Sequence, residues 1–96
     1  MKSLNDIKQD LSNHKRKLFA DYHIQSMAIF GSYARMEETE QSDLDILVEF
    51  NDKIGIRFID LAIELENIVE MKVDLVSRKG IKDKYFNVIK TDLLYV

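Results

Sequence analysis

Three carboxylates and one glycine–serine turn are the residues of this chain whose types and spacing could do chemistry. Gly31-Ser32-Tyr33-Ala34-Arg35 is followed, after a seven-residue stretch, by Asp43-Leu44-Asp45-Ile46-Leu47-Val48. A third acid stands in the apolar run Lys72-Val73-Asp74-Leu75-Val76. A glycine directly after a strand lets the backbone turn tightly and approach a ligand. The helix start behind it offers unpaired N–H groups to an anion, and Ser32 adds a hydroxyl donor. Strand residues i and i+2 point the same way, so Asp43 and Asp45 converge and repel unless a cation lies between them. Magnesium suits that gap, because it takes hard oxygen ligands and completes its shell with waters or phosphate oxygens. Turn and acids together point to metal-dependent transfer of a nucleotidyl group.

Each feature also has an ordinary reading. Gly31-Ser32 could be a plain strand-to-helix turn with Ser32 as its cap. Asp43 and Asp45 could be charges at a solvated strand end, although paired acids on a central apolar strand are costly without a purpose. Asp74 could be an edge-strand residue, or it could complete a metal site or accept the proton of an attacking hydroxyl. Arg35 could meet a phosphate or pair with Glu38. Lys79, Lys82 and Lys84 read as a solvated basic patch, and His14 and His23 lack the second ligand that metal binding would require. Tyr33 could stack on a base or simply fill the core.

The elements that must hold these residues are legible from periodicity. Ser3 with Asp6 resembles a capping box and opens a helix near Leu4, whose apolar positions are Leu4, Ile7, Leu11, Leu18 and Phe19. Residues 26–30 read as a strand ending at Gly31, and residues 32–37 as a helical turn. Residues 43–50 are the clearest strand, with Leu44, Ile46, Val48 and Phe50 on one face and Asp43, Asp45, Leu47 and Glu49 on the other. Phe58, Leu61, Ala62, Leu65, Ile68 and Val69 follow helical spacing. Residues 72–77 form a third strand and 81–90 a last helix. Leu93-Leu94-Tyr95-Val96 is either a terminal strand or an apolar tail. The order predicts an α/β or α+β fold, one domain over 1–96 with a small mixed sheet flanked by helices.

Composition sets the bounds. With 96 residues, 46% hydrophobic and 32% charged, the chain has room for one core and is no candidate for disorder. A net charge of −3 argues against general nucleic-acid binding, though not against a nucleotide whose charge a metal offsets. The absence of cysteine excludes disulfides and thiolate zinc sites. No secretory signal or membrane span is read, so the cytoplasm is the expected location.

Gly31-Ser32, Ala34-Arg35, Ser42-Asp43-Leu44-Asp45 with Ile46-Leu47-Val48, and the later Asp74 resemble the minimal nucleotidyltransferases of the DNA polymerase beta superfamily. The resemblance covers nearly the whole chain, and its compound pattern is specific. It implies a palm-like mixed β-sheet, ATP as substrate and Mg2+ as metal, with two ions expected. By motif position Gly31 and Ser32 would hold the triphosphate, with Arg35 as a further phosphate contact. Asp43, Asp45 and Asp74 would be both the catalytic carboxylates and the metal ligands. Members commonly act as antitoxins to a HEPN-domain ribonuclease toxin, transferring AMP to a tyrosine hydroxyl. One position departs from the pattern: Met36 stands where the motif usually has glycine, so it must either keep right-handed geometry or bear strain.

Two functional readings follow. The first is a Mg-dependent adenylyltransferase acting on a protein partner. The alternative is a non-catalytic antitoxin that neutralises its toxin by binding alone, which Met36 keeps open. Transfer to a small molecule ranks last, because the chain shows no second domain to enclose one. A homodimer is compatible with so small a chain in the absence of its partner, but no residue specifies it.

Overall fold

The computed structural model describes residues 2–96. Ser3 caps helix α1 (Leu4–Asp21) through the expected reciprocal box. Its hydroxyl accepts from the Asp6 N–H, and the Asp6 carboxylate accepts from the Ser3 N–H. The chain then passes His23, at φ 52, into strand β1 (Ile24–Phe30). A short helix α2 (Gly31–Ala34) and an irregular loop lead to strand β2 (Leu44–Phe50). Helix α3 (Arg57–Val69) crosses over to strand β3 (Val73–Ser77). Helix α4 (Asp83–Ile89) runs into a 3-10 turn (Lys90–Asp92) and the two-residue strand β4 (Leu94–Tyr95).

The sheet order is β3-β2-β1-β4. β1 runs antiparallel to both β2 and β4, whereas β2 and β3 are parallel. A parallel pair cannot be joined by a tight turn, and α3 supplies the crossover that the geometry demands. Leu44, Ile46 and Val48 are fully buried on one face against Ile7, Leu11 and Leu18 of α1 and Leu61, Leu65 and Val69 of α3. Leu47 turns to the opposite face and joins Phe30 and Ile89 in a second, smaller cluster under α4. Both faces of β2 are therefore covered, as its near-continuous apolar run requires.

Several expectations need correction at the ends of elements. β1 begins at Ile24 rather than residue 26, because a register irregularity between Ile24 and Ser26 lets the strand continue past a polar pair. The last helix begins at Asp83, not Ile81. Lys82 is its extended N-cap, and Ile81 instead packs under the helix beside Phe86 and Leu93. The terminal segment is a strand: Leu94 pairs with Ile29 and Tyr95 with Ala28. Among the described residues no helix is long and apolar enough to cross a membrane.

Leu65 is fully buried between the sheet and α1, so truncating it leaves a cavity there. Leu65→Ala is expected to lower stability by about 2–5 kcal/mol in urea denaturation. A loss below about 1 kcal/mol would show that the core collapses to refill the space.

Candidate active site

The β1–β2 register positions the chemistry. Phe30, the last residue of β1, lies opposite Asp45, and the chain turns into α2 at the next residue. Gly31 has φ +75, a region that costs most side chains energy, and a Cβ built there would overlap the Asp45 Oδ2. This glycine serves two purposes at once: it makes the turn and vacates the space that the Asp45 carboxyl occupies. No side chain caps α2, so Ser32 does not serve as its cap. The first-turn N–H groups of a helix have no intrahelical partner, and α2 starts directly after Phe30, the register partner of Asp45.

Asp45 and Asp74 are register partners on the parallel strands β2 and β3. Alternation puts both on the α4 side of the sheet, away from the main core. Asp43 precedes β2 and is exposed, held by a turn in which Ser42 Oγ accepts from the Thr39 N–H at 2.9 Å. Burial, then the Asp74 charge, then the Asp43 charge push the Asp45 carboxyl up from 3.8 to about 6, while Arg35 opposes the shift. Asp74 and Asp43 therefore lie near enough to Asp45 for their charges to oppose its ionisation. Among the described residues no three such side chains already stand in metal-holding geometry. Their chemistry nevertheless fits Mg2+, since hard carboxylate oxygens crowded by like charge are what a divalent ion relieves.

Arg35 does not pair with Glu38. Its Nε donates to Glu37 at 3.0 Å and its Nη1 to Asp92 at 3.4 Å, ties that raise its pKa. Asp92 was not legible as a site residue, because it lies 57 positions along the chain and meets Arg35 only once α4 and β4 fold back. Tyr33 is core rather than a base platform, with burial and the nearby Glu38 charge raising its hydroxyl pKa. The Glu38 Oε1 is buried there without a hydrogen-bond partner.

Met36 takes the strained course, with φ 58. Its N–H donates to the Tyr33 carbonyl at 3.2 Å, and the Glu37 N–H donates to the Ser32 carbonyl at 2.8 Å. These are the two bonds of a Schellman motif, with methionine in the left-handed position that glycine usually holds. The loop thus leaves α2 by a conventional route despite the substitution. Beside Asp43, a cleft of about 370 Å³ is lined by Lys2, Tyr33, Glu40, Gln41, Ser42, Asp43, Glu70, Met71 and Lys72. Lys2 is tied there to Asp10 at 2.6 Å and to Glu70 at 3.7 Å.

Two outcomes follow from this geometry. Gly31→Ala puts a methyl into the Asp45 carboxyl and is expected to weaken Mg2+ binding by about tenfold or more, read by calorimetry. Unchanged affinity would mean that Asp45 is not held by this turn. The second concerns pH. Asp45 holds its proton more tightly folded than unfolded, so without added metal the chain loses stability as pH rises from about 4 through about 6. Asp45→Asn removes that slope, and its urea midpoint should exceed the parent's increasingly toward neutral pH. Parallel profiles for the two proteins would show that the repulsion is absent.

Residues 5–95 match the family described as Polymerase beta, Nucleotidyltransferase. A Methanocaldococcus jannaschii protein, provisionally named a protein adenylyltransferase, is 43% identical over all of both chains. The protein adenylyltransferase MntA of Thermococcus cleftensis is 34% identical, covering 100% of this chain and 98% of its own. Among solved structures, a protein described as a minimal nucleotidyltransferase superposes with a TM-score of 0.84 at 26% identity, covering 97% of this chain and 95% of that one. A complex of tri-AMPylated Shewanella oneidensis HEPN toxin with its MNT antitoxin contains a chain matching at TM-score 0.67 and 25% identity, with 93% of this chain and 70% of that one covered. With the family matched along nearly its whole length, and the motif acids and glycine set against one another, the chain belongs to the polymerase beta nucleotidyltransferases.

Proposed function

We propose that this chain is an ATP-dependent protein adenylyltransferase that silences a HEPN-type toxin by placing AMP on a tyrosine hydroxyl. The observation that carries the reading is the apposition of Asp45 and Asp74 on the α4 side of the sheet, with Asp45 seated over Gly31 and the Asp43 charge close enough to act on it. The relatives named protein adenylyltransferases and the AMPylated toxin–antitoxin complex support the same direction for substrate and partner.

In this reading the acceptor hydroxyl attacks the α-phosphorus of ATP. The new bond joins the acceptor oxygen to phosphorus, the bond to the bridging oxygen breaks, and pyrophosphate leaves. Asp43, Asp45 and Asp74 would hold Mg2+, which when bound neutralises charge on the phosphates. Asp74, register partner of Asp45 on β3, would complete the metal site or take the hydroxyl proton. Gly31 and Ser32 leave backbone N–H groups and a hydroxyl for the triphosphate. Arg35 adds positive charge beside Asp45, oriented by Glu37 and Asp92. The protein's work is chiefly positioning and charge neutralisation, as elsewhere in phosphoryl transfer. The Schellman turn at Met36 leaves the motif loop conventionally closed, which weakens the case for a purely occluding antitoxin.

Intact mass spectrometry of a candidate HEPN-domain partner, after incubation with this chain, ATP and Mg2+, tests the reading. AMP-sized additions are expected with the parent chain and should be lost with the Asp43→Asn, Asp45→Asn double variant. A toxin that is bound and inhibited yet unmodified would replace catalysis with occlusion.

A further inference from the structure

Glu66 stands where a helix disfavours an acid. It lies in the last turn of α3, where unpaired carbonyls carry partial negative charge, and Glu70 follows four residues later. Among the described residues no lysine or arginine forms an ion pair with it. Its carboxylate instead reaches past the end of the helix and accepts from the Val73 N–H at 3.0 Å. Its own carbonyl accepts from the Glu70 N–H at 2.8 Å, which closes α3 at a left-handed residue.

The bond falls at a sensitive place. β3 is an edge strand, so its outward amides have no neighbouring strand to meet. Val73 is buried, and its N–H would lack a protein partner without Glu66. A carboxylate makes the stronger, charge-assisted form of such a bond. The carbonyl of the same peptide unit, that of Lys72, accepts from the Leu44 N–H at 2.9 Å. The Lys72–Val73 peptide is therefore held on both sides, by α3 outside and by β2 inside. Leu44 separates Asp43 from Asp45, and Val73 immediately precedes Asp74. One peptide unit thus links the acid-bearing ends of β2 and β3, and Glu66 anchors it.

We infer that Glu66 is a positioning residue for the acid cluster: by fixing the Lys72–Val73 peptide it sets the place of Asp74 relative to Asp43 and Asp45. The inference rests on the reading that these three acids take Mg2+, and it deepens that reading by naming a residue outside the site on which metal affinity depends.

The test compares Glu66→Ala, Glu66→Asp and Glu66→Gln with the parent by NMR on the whole chain, with MgCl2 as probe and well below the unfolding transition. Alanine removes the acceptor, aspartate keeps the charge but falls a methylene short, and glutamine keeps an acceptor oxygen without the charge. The Kd for Mg2+, read from the Asp45 and Asp74 amides, should rise about tenfold in Glu66→Ala and Glu66→Asp. It should stay within about threefold of the parent in Glu66→Gln. Hydrogen exchange at the Leu44 amide should quicken about tenfold in the first two variants and not in the third. An unchanged Kd in Glu66→Ala and Glu66→Asp overturns the inference, even with a lowered melting temperature, because Glu66 is then an edge cap alone. A Glu66→Gln as weak as Glu66→Ala overturns it too, since the charge and not the bond would be the cause. So does a raised Kd with Leu44 exchange as in the parent. A parent that takes up no Mg2+ refutes the metal reading and this inference together.

Discussion

Asp45 can stand where it does only because residue 31 has no side chain. The antiparallel register sets Phe30 opposite Asp45, and the chain must leave β1 at the next residue in a positive-φ turn. Any Cβ at that position would overlap the carboxyl. The rest of the site inherits this constraint. The Asp45 side chain fixes where the acids meet, and the turn fixes where the first N–H groups of α2 point. The parallel partner strand then brings Asp74 into line with Asp45. A shift of one residue in the β1–β2 register would send Asp45 into the main core and Leu44 into the site.

The strand that carries Asp45 also explains why the acids are tolerated. β2 is central, and three of its residues are fully buried in the larger core. Most of the sheet's anchorage therefore lies on the α1–α3 face. The α4 face needs only the small cluster of Phe30, Leu47 and Ile89. That asymmetry leaves room beside α4 for the half-buried Asp45 and the exposed Asp74 to keep contact with solvent. Asp45 is poised between these conditions, buried enough to be pushed up to about 6 yet not enclosed. A fully covered second face would have excluded the acids or required partners for them.

The sequence made the site legible because its parts are local. Gly31-Ser32, the Asp43–Asp45 pair and Asp74 each sit at an element end that alternation or turn chemistry marks, and the apolar faces of α1, β2 and α3 follow their periods. What it left hidden depends on tertiary closure. Local spacing offers Arg35 either a phosphate or Glu38, but the fold gives it Glu37 and Asp92, the latter through a return of the chain that no local pattern signals. The start of α4 slipped from Ile81 to Asp83 because Ile81 is needed under the helix rather than within it. The bulge near Ile24 hid the first residues of β1 behind polar Gln25 and Ser26.

Met36 lies between these cases. The sequence showed that a residue ill-suited to left-handed geometry stood at a position that favours glycine, but not which way the conflict would resolve. The two Schellman hydrogen bonds decide it, since both require the left-handed turn and together satisfy two of the carbonyls that α2 leaves open. A right-handed Met36 would have spared the side chain and left those carbonyls without their partners. In a helix of four residues these bonds are a large share of what holds it, so the backbone pattern prevails over the preference of the residue. The same short helix carries Gly31 at its start, and the Arg35 and Met36 positions follow directly from its end. The left-handed Met36 and the bare Gly31 are thus the two ends of one short turn, and it is the first end, at Gly31, that makes room for Asp45.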